Sequence, residues 1–182
     1  MATAYFAGCG TVGEIKTAYH SLAKLNHPDI GGDTKTMQAI NAAYLKALAG
    51  LDGQVSMGSD QQEHTYRYNP DIEQAVIDKL AELFALHMKN VTIELVGTWI
   101  WVYGTSDPEQ TRPYTKLLGS NAKGVKKGEK PGLGLKWHAK RHKWYFGRKS
   151  YYRRTNTAVS FAHIRYMYGS RIMEDSQEAA IV

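Results

Sequence analysis

A chain of 182 residues holds one ordinary domain or two small ones, and 43% hydrophobic with 22% charged residues argues against wholesale disorder. No run approaches the roughly 20 apolar residues that cross a bilayer, and residues 1–6 lack the basic flank and apolar stretch of a secretory leader. A single cysteine, Cys9, provides neither an internal disulfide nor a thiol cage, so a reducing compartment, the cytoplasm, is expected.

The net charge of +6 is unevenly spread. Residues 1–111 carry 7 Lys/Arg against 13 Asp/Glu, whereas residues 112–154 carry 14 Lys/Arg against one acid, Glu129. That asymmetry predicts two functional regions, the later one facing something acidic.

In chain order, Thr11 and Glu14 have capping-box spacing and open a helix with Ile15, Ala18, Tyr19, Leu22 and Ala23 on one stripe. Lys16, His20 and Lys24 recur every four residues on another face. Pro28 disfavours helical geometry at His27 and ends this helix. Asp33 caps a second helix carrying Met37, Ile40, Tyr44 and Leu48, closed by Gly50 and Gly53. Two helices across a short loop predict an antiparallel hairpin.

Residues 51–69, rich in Gly, Ser, Gln and Asp, read as a linker. Asn69-Pro70-Asp71 opens a third helix with Ile72, Val76, Leu80, Leu83 and His87 inward. Residues 91–96 and 98–103 are β-rich and separated by Gly97, which leaves a hairpin and a bulged single strand both open. A helix is expected over 113–118, then a Gly/Lys-rich loop over 119–134 that is functional or disordered. Residues 135–138 and 143–146 predict a second hairpin around Ala139-Lys140-Arg141. Phe161, Ile164, Arg165 and Tyr168 predict a closing helix ending at Gly169, followed by a flexible tail over 172–182. The expected fold class is α+β: a helical hairpin in 1–50, then a small α+β domain with antiparallel strands over 70–171.

His27-Pro28-Asp29 lies between the first two helices, in the frame Glu14-Ile15-Lys16, Ala18-Tyr19, Leu22-Ala23, Gly31-Gly32-Asp33, Ile40-Asn41 and Ala43-Tyr44. A tripeptide alone is a weak signal, but the ordered flanks make the match specific. This frame resembles the J-domain family, in a shortened form in which only Ala4-Tyr5-Phe6 precedes the capping box. The resemblance implies a co-chaperone that docks on a DnaK-type ATPase and delivers a target selected by the C-terminal domain. By position, His27, Pro28 and Asp29 take the triggering role, and Lys16, His20 and Lys24 the docking face. The chemistry suits it: Pro28 limits the entropy lost on docking, and Asp29 offers a carboxylate to a partner cation.

There is no Gly/Phe-rich linker and no Cys-x-x-Cys-x-Gly-x-Gly repeat, so the chain is similar to the short J-proteins of phages and other bacterial mobile elements. The second half is similar to them too, through Gly97-Thr98-Trp99-Ile100-Trp101-Val102, Leu135-Lys136-Trp137-His138, Lys143-Trp144-Tyr145, Ile164-Arg165 and Tyr168-Gly169-Ser170, with 120–134 as an insertion. The resemblance implies no defined activity for this half.

Its residues suggest one. Lys126, Lys127, Lys130, Lys140, Arg141, Lys143, Arg148, Lys149, Arg153 and Arg154 are interleaved with Trp137, Trp144, Tyr145, Tyr151 and Tyr152. Cations for phosphates and rings for bases make the chemistry of single-strand nucleic-acid binding; an acidic protein target or plain solvation are the alternatives. Trp99, Trp101 and Tyr103 alternate with Ile100 and Val102, and these tryptophans are expected in the core. Trp137 and Trp144 are expected there as an opposed hairpin pair. A phage inhibitor that imitates a J-protein to divert a host or defence component is a further reading. No Walker-type or Rossmann loop occurs, His138 and His142 are unsupported as metal ligands, and no cofactor or enzymatic activity is expected.

Overall fold

The computed structural model describes residues 5–26, 28, 31–57, 63–119, 132–147, 160–168 and 170–175. Helices and an antiparallel sheet make the fold mixed α and β. The chain divides into two compact units, Met1–Ile77 and Asp78–Val182.

In the first unit, α1 (Val12–Asn26) starts with the capping box the sequence spells. Thr11 Oγ1 accepts from the Glu14 amide at 3.2 Å, and Glu14 Oε2 accepts from the Thr11 and Gly10 amides at 3.0 and 2.7 Å. These amides hold the Glu14 carboxyl below its ordinary range. Asp33 caps α2 (Thr34–Ala49), accepting from the Thr36 amide at 2.8 Å. The apolar stripes of both helices are buried: Ile15, Tyr19 and Ala23 from α1, and Met37, Ile40, Tyr44 and Leu48 from α2. Tyr19 stacks on Tyr44 with ring centroids 4.2 Å apart, and its hydroxyl donates to Asn41 Oδ1 at 2.9 Å. Tyr19 lies seven residues before the end of α1 and Asn41 seven after the start of α2, so the helices run antiparallel about their connection.

The segment expected to be a linker contains two short strands, β1 (Val55–Met57) and β2 (Glu63–Thr65), paired antiparallel with Val55 opposite Thr65. Gly53, at φ +80°, donates to the Tyr66 carbonyl at 2.9 Å, and Tyr66 donates back to Gln54 at 2.9 Å. A backbone ladder needs no apolar periodicity, which is why composition missed it. The partition differs as well. The unit boundary falls within α3 (Pro70–Phe84), so Ile72, Val76 and Ile77 are buried in the first unit.

The second unit is built on a five-stranded sheet in the order β5-β6-β4-β3-β7, with every neighbouring pair antiparallel. β3 (Val91–Val96) and β4 (Trp99–Gly104) form a hairpin turned at Gly97 and Thr98, which resolves the alternative the sequence left open. β5 (Lys136–His138) and β6 (Lys143–Phe146) form the second hairpin, with His142 left-handed at φ +50° in its turn. A 3-10 helix (Pro108–Tyr114) runs into the four-residue α4 (Thr115–Leu118), where one short helix was expected. α5 (Phe161–Tyr168) is the closing helix.

The flexible tail expected over 172–182 is corrected for 172–175, and 176–182 lie outside the described residues. Residues Ser170–Asp175 form β7, which pairs with β3 through an irregularity at Ile93/Glu94, and Met173 is buried. β3 is therefore central, and all six of its residues are buried. Registers place Ile93, Leu95, Ile100, Val102 and Trp144 on one face, with Glu94, Trp101, Tyr103, Lys143 and Tyr145 on the other.

Candidate functional site

The connection between α1 and α2 carries the His-Pro-Asp motif. Pro28 is exposed and its carbonyl accepts from the Gly31 amide at 3.0 Å; His27 and Asp29 lie outside the described residues. Two glycines shape the return. Gly31 sits at φ +92°, and a Cβ on Gly32 would stand 2.1 Å from the Asn26 carbonyl oxygen, so only glycine fits at position 32 against the end of α1. Asn26 closes that end by donating to the Leu22 carbonyl at 2.8 Å.

The cationic stripe expected beside this loop is not a single face. Lys24 is exposed and His20 half-buried, but Lys16 is only 9% exposed. Position 16 is one residue beyond Ile15, about 100° round the helix, and turns with the apolar stripe rather than away from it. Burial lowers the Lys16 pKa, and the Glu73 charge opposes that shift. Glu73, missed in the sequence, is itself buried and accepts from the Tyr66 hydroxyl at 3.1 Å through Oε1; burial, with the Glu73 charge second, pushes the Tyr44 hydroxyl well up. Lys16 is thus an interior group of this unit, and of the three cations expected on one face only Lys24 is exposed, with His20 half-buried.

In the second unit, the sheet face bearing Glu94 holds a network the sequence did not reveal. Glu94 is 1% exposed. Arg165 of α5 donates to its two carboxylate oxygens at 2.6 and 2.5 Å, and the Tyr103 hydroxyl donates to Oε2 at 2.7 Å. The Arg165 guanidinium also reaches the Tyr103 oxygen at 2.7 Å. The Tyr103 hydroxyl is shifted well up, first by burial and then by its bond to Glu94. One clue was legible: Glu94 is the lone charge within the apolar run of residues 91–96.

Lys143, expected to contact nucleic acid, points into this network. Its Nζ is 3.0 Å from the centroid of the Tyr103 ring and 4.8 Å from that of Phe161. Burial lowers its pKa to about 8, the Arg165 charge adding to the shift and Glu94 opposing it. Arg141 bends inward as well, with Nη1 2.6 Å from His138 Nε2 and its guanidinium 5.9 Å from the Trp101 ring. Burial, then the Arg141 and Lys140 charges, lowers the His138 pKa. Trp101 and Trp144 are buried as expected, while Trp137 is 42% exposed and corrects the reading that placed it in the core. Lys140 is exposed. Lys126, Lys127, Lys130, Arg148, Lys149, Arg153 and Arg154, with Tyr151 and Tyr152, lie outside the described residues.

Among the described residues no group of three or more His, Cys, Asp or Glu side chains could hold a metal, and no helix is long and apolar enough to cross a membrane. Comparison with protein-family models, with curated proteins and with solved structures returned no match to this chain.

Proposed function

We propose that the protein is a cytoplasmic co-chaperone of the J-domain type, which docks on a DnaK-type ATPase through the loop at His27-Pro28-Asp29 and delivers a target chosen by its C-terminal unit. One observation carries the reading. Ile15, Tyr19, Ala23, Ile40 and Tyr44, which match the family frame, are all buried on α1 and α2, and Pro28 in the connection is exposed. A proline-stiffened connection between two packed helices suits recognition by another protein, because little conformational freedom is lost on docking.

The tether supplies the remaining physics: joining the docking element to the target-selecting unit makes capture effectively intramolecular. Replacing the motif histidine, His27→Gln, is expected to abolish stimulation of the ATPase while leaving the melting temperature unchanged, read by single-turnover ATP hydrolysis and circular dichroism. Full stimulation by that variant would remove the mechanism.

A further inference from the structure

Of the ten C-terminal cations singled out in the sequence, Lys143 and Arg141 turn towards Tyr103 and His138, and Lys140 remains in solvent. Lys136, outside that set, is also exposed, one position before Trp137 and on the opposite face of the edge strand β5. Of the four tryptophans Trp137 is the one left exposed, at 42%, and its position is held by neighbouring rings. The indole is braced by Trp144 at 5.3 Å between centroids and edge-on by His142 at 6.2 Å, with His142 fixed in the left-handed turn of the β5–β6 hairpin. No acidic residue occurs anywhere in residues 132–147, which contain Lys136, Lys140, Arg141 and Lys143. A rigidly held ring in solvent, in a purely cationic hairpin, is complementary to a ligand offering both a flat π-face and negative charge.

We propose that the β5–β6 hairpin binds single-stranded nucleic acid, with a base stacked on Trp137 and backbone phosphates held by Lys136 and Lys140. An acidic peptide would satisfy the lysines but not the ring, and a duplex keeps its bases stacked on one another, so an unpaired strand fits best. The site is separate from the α1–α2 loop and stands whether or not the chain stimulates an ATPase.

The full chain is titrated into a labelled oligothymidylate of about 15 nucleotides, followed by anisotropy from about 50 to about 200 mM salt. Trp137→Ala is expected to weaken binding at least about fivefold and Trp137→Phe to restore most of it, because a smaller ring still stacks. The pair Lys136→Gln with Lys140→Gln is expected to weaken binding and to reduce the salt dependence by one to two phosphate equivalents, at about 0.7 per phosphate for a single strand. If Trp137→Ala unfolds, the lysine pair and Trp137→Phe decide the matter. Stimulation of the ATPase is expected to be unchanged in every variant, which separates this site from the docking loop. Absence of binding at low salt, equal affinity for duplex or for polyglutamate, or an unchanged affinity in Trp137→Ala and the lysine pair overturns the proposal.

Discussion

Lys143 and Glu94 show how far a side chain's role depends on what the fold places opposite it. An unfolded lysine holds its proton to about pH 10.4, whereas in the folded chain Lys143 releases it at about 8. Between those values the unfolded chain binds more protons, so stability rises with pH across the window, and the contribution is lost as pH falls through 8. Lys16, also shifted down, acts in the same direction. Above about pH 10 the unfolded tyrosines ionise while Tyr103 and Tyr44 stay protonated, and stability falls again. Urea midpoints are expected to climb from pH 8 towards 10. Lys143→Met should flatten that climb relative to wild type; an unaltered slope would show that Lys143 titrates normally. Glu94→Gln removes the charge that holds Arg165, and a loss of about 1–3 kcal/mol is expected by urea denaturation, moderated because Arg165 is partly exposed. None of this network is legible from spacing, since Glu94 and Arg165 are 71 residues apart.

At the scale of elements, legibility follows the range of the interactions. The caps of α1 and α2 are made by residues three or four apart, and the stripes repeat within a few turns, so both helices stand in the sequence. Asp33→Ala is expected to cost about 1 kcal/mol through loss of the Thr36 bond. Ile40→Ala is expected to cost about 2–5 kcal/mol, because Ile40 is fully buried beneath the helix pair. Both are read from thermal or urea unfolding, and a cost for Ile40→Ala near zero would mean that the two helices do not pack. β1, β2 and β7 were missed for the opposite reason. β7 is completed by distant backbone, as where Ser170 faces Val96, and β1 and β2, which pair with each other, are three residues each and too short to show periodicity.

For the whole molecule, β7 closes one edge of the sheet beside β3, whose six residues are all buried. A chain stopped after Gly169 would expose that apolar strand along its hydrogen-bonding edge. Such a truncation is expected to aggregate or to lose cooperative unfolding of the second unit, checked by size-exclusion chromatography and melting; a monomeric, fully cooperative product would show β7 to be dispensable. The sequence by itself determined the α+β class, the paired helices with their caps, the β5–β6 hairpin, and the charge contrast between the halves, because each follows from local periodicity, turn residues or composition. Only the tertiary structure decided that Lys16 is buried and Lys143 turned onto the Tyr103 ring, that Trp137 faces solvent, that β7 is a strand, and that α3 crosses the unit boundary. Those outcomes depend on which surfaces meet, and burial is a property of the partner surface as much as of the residue.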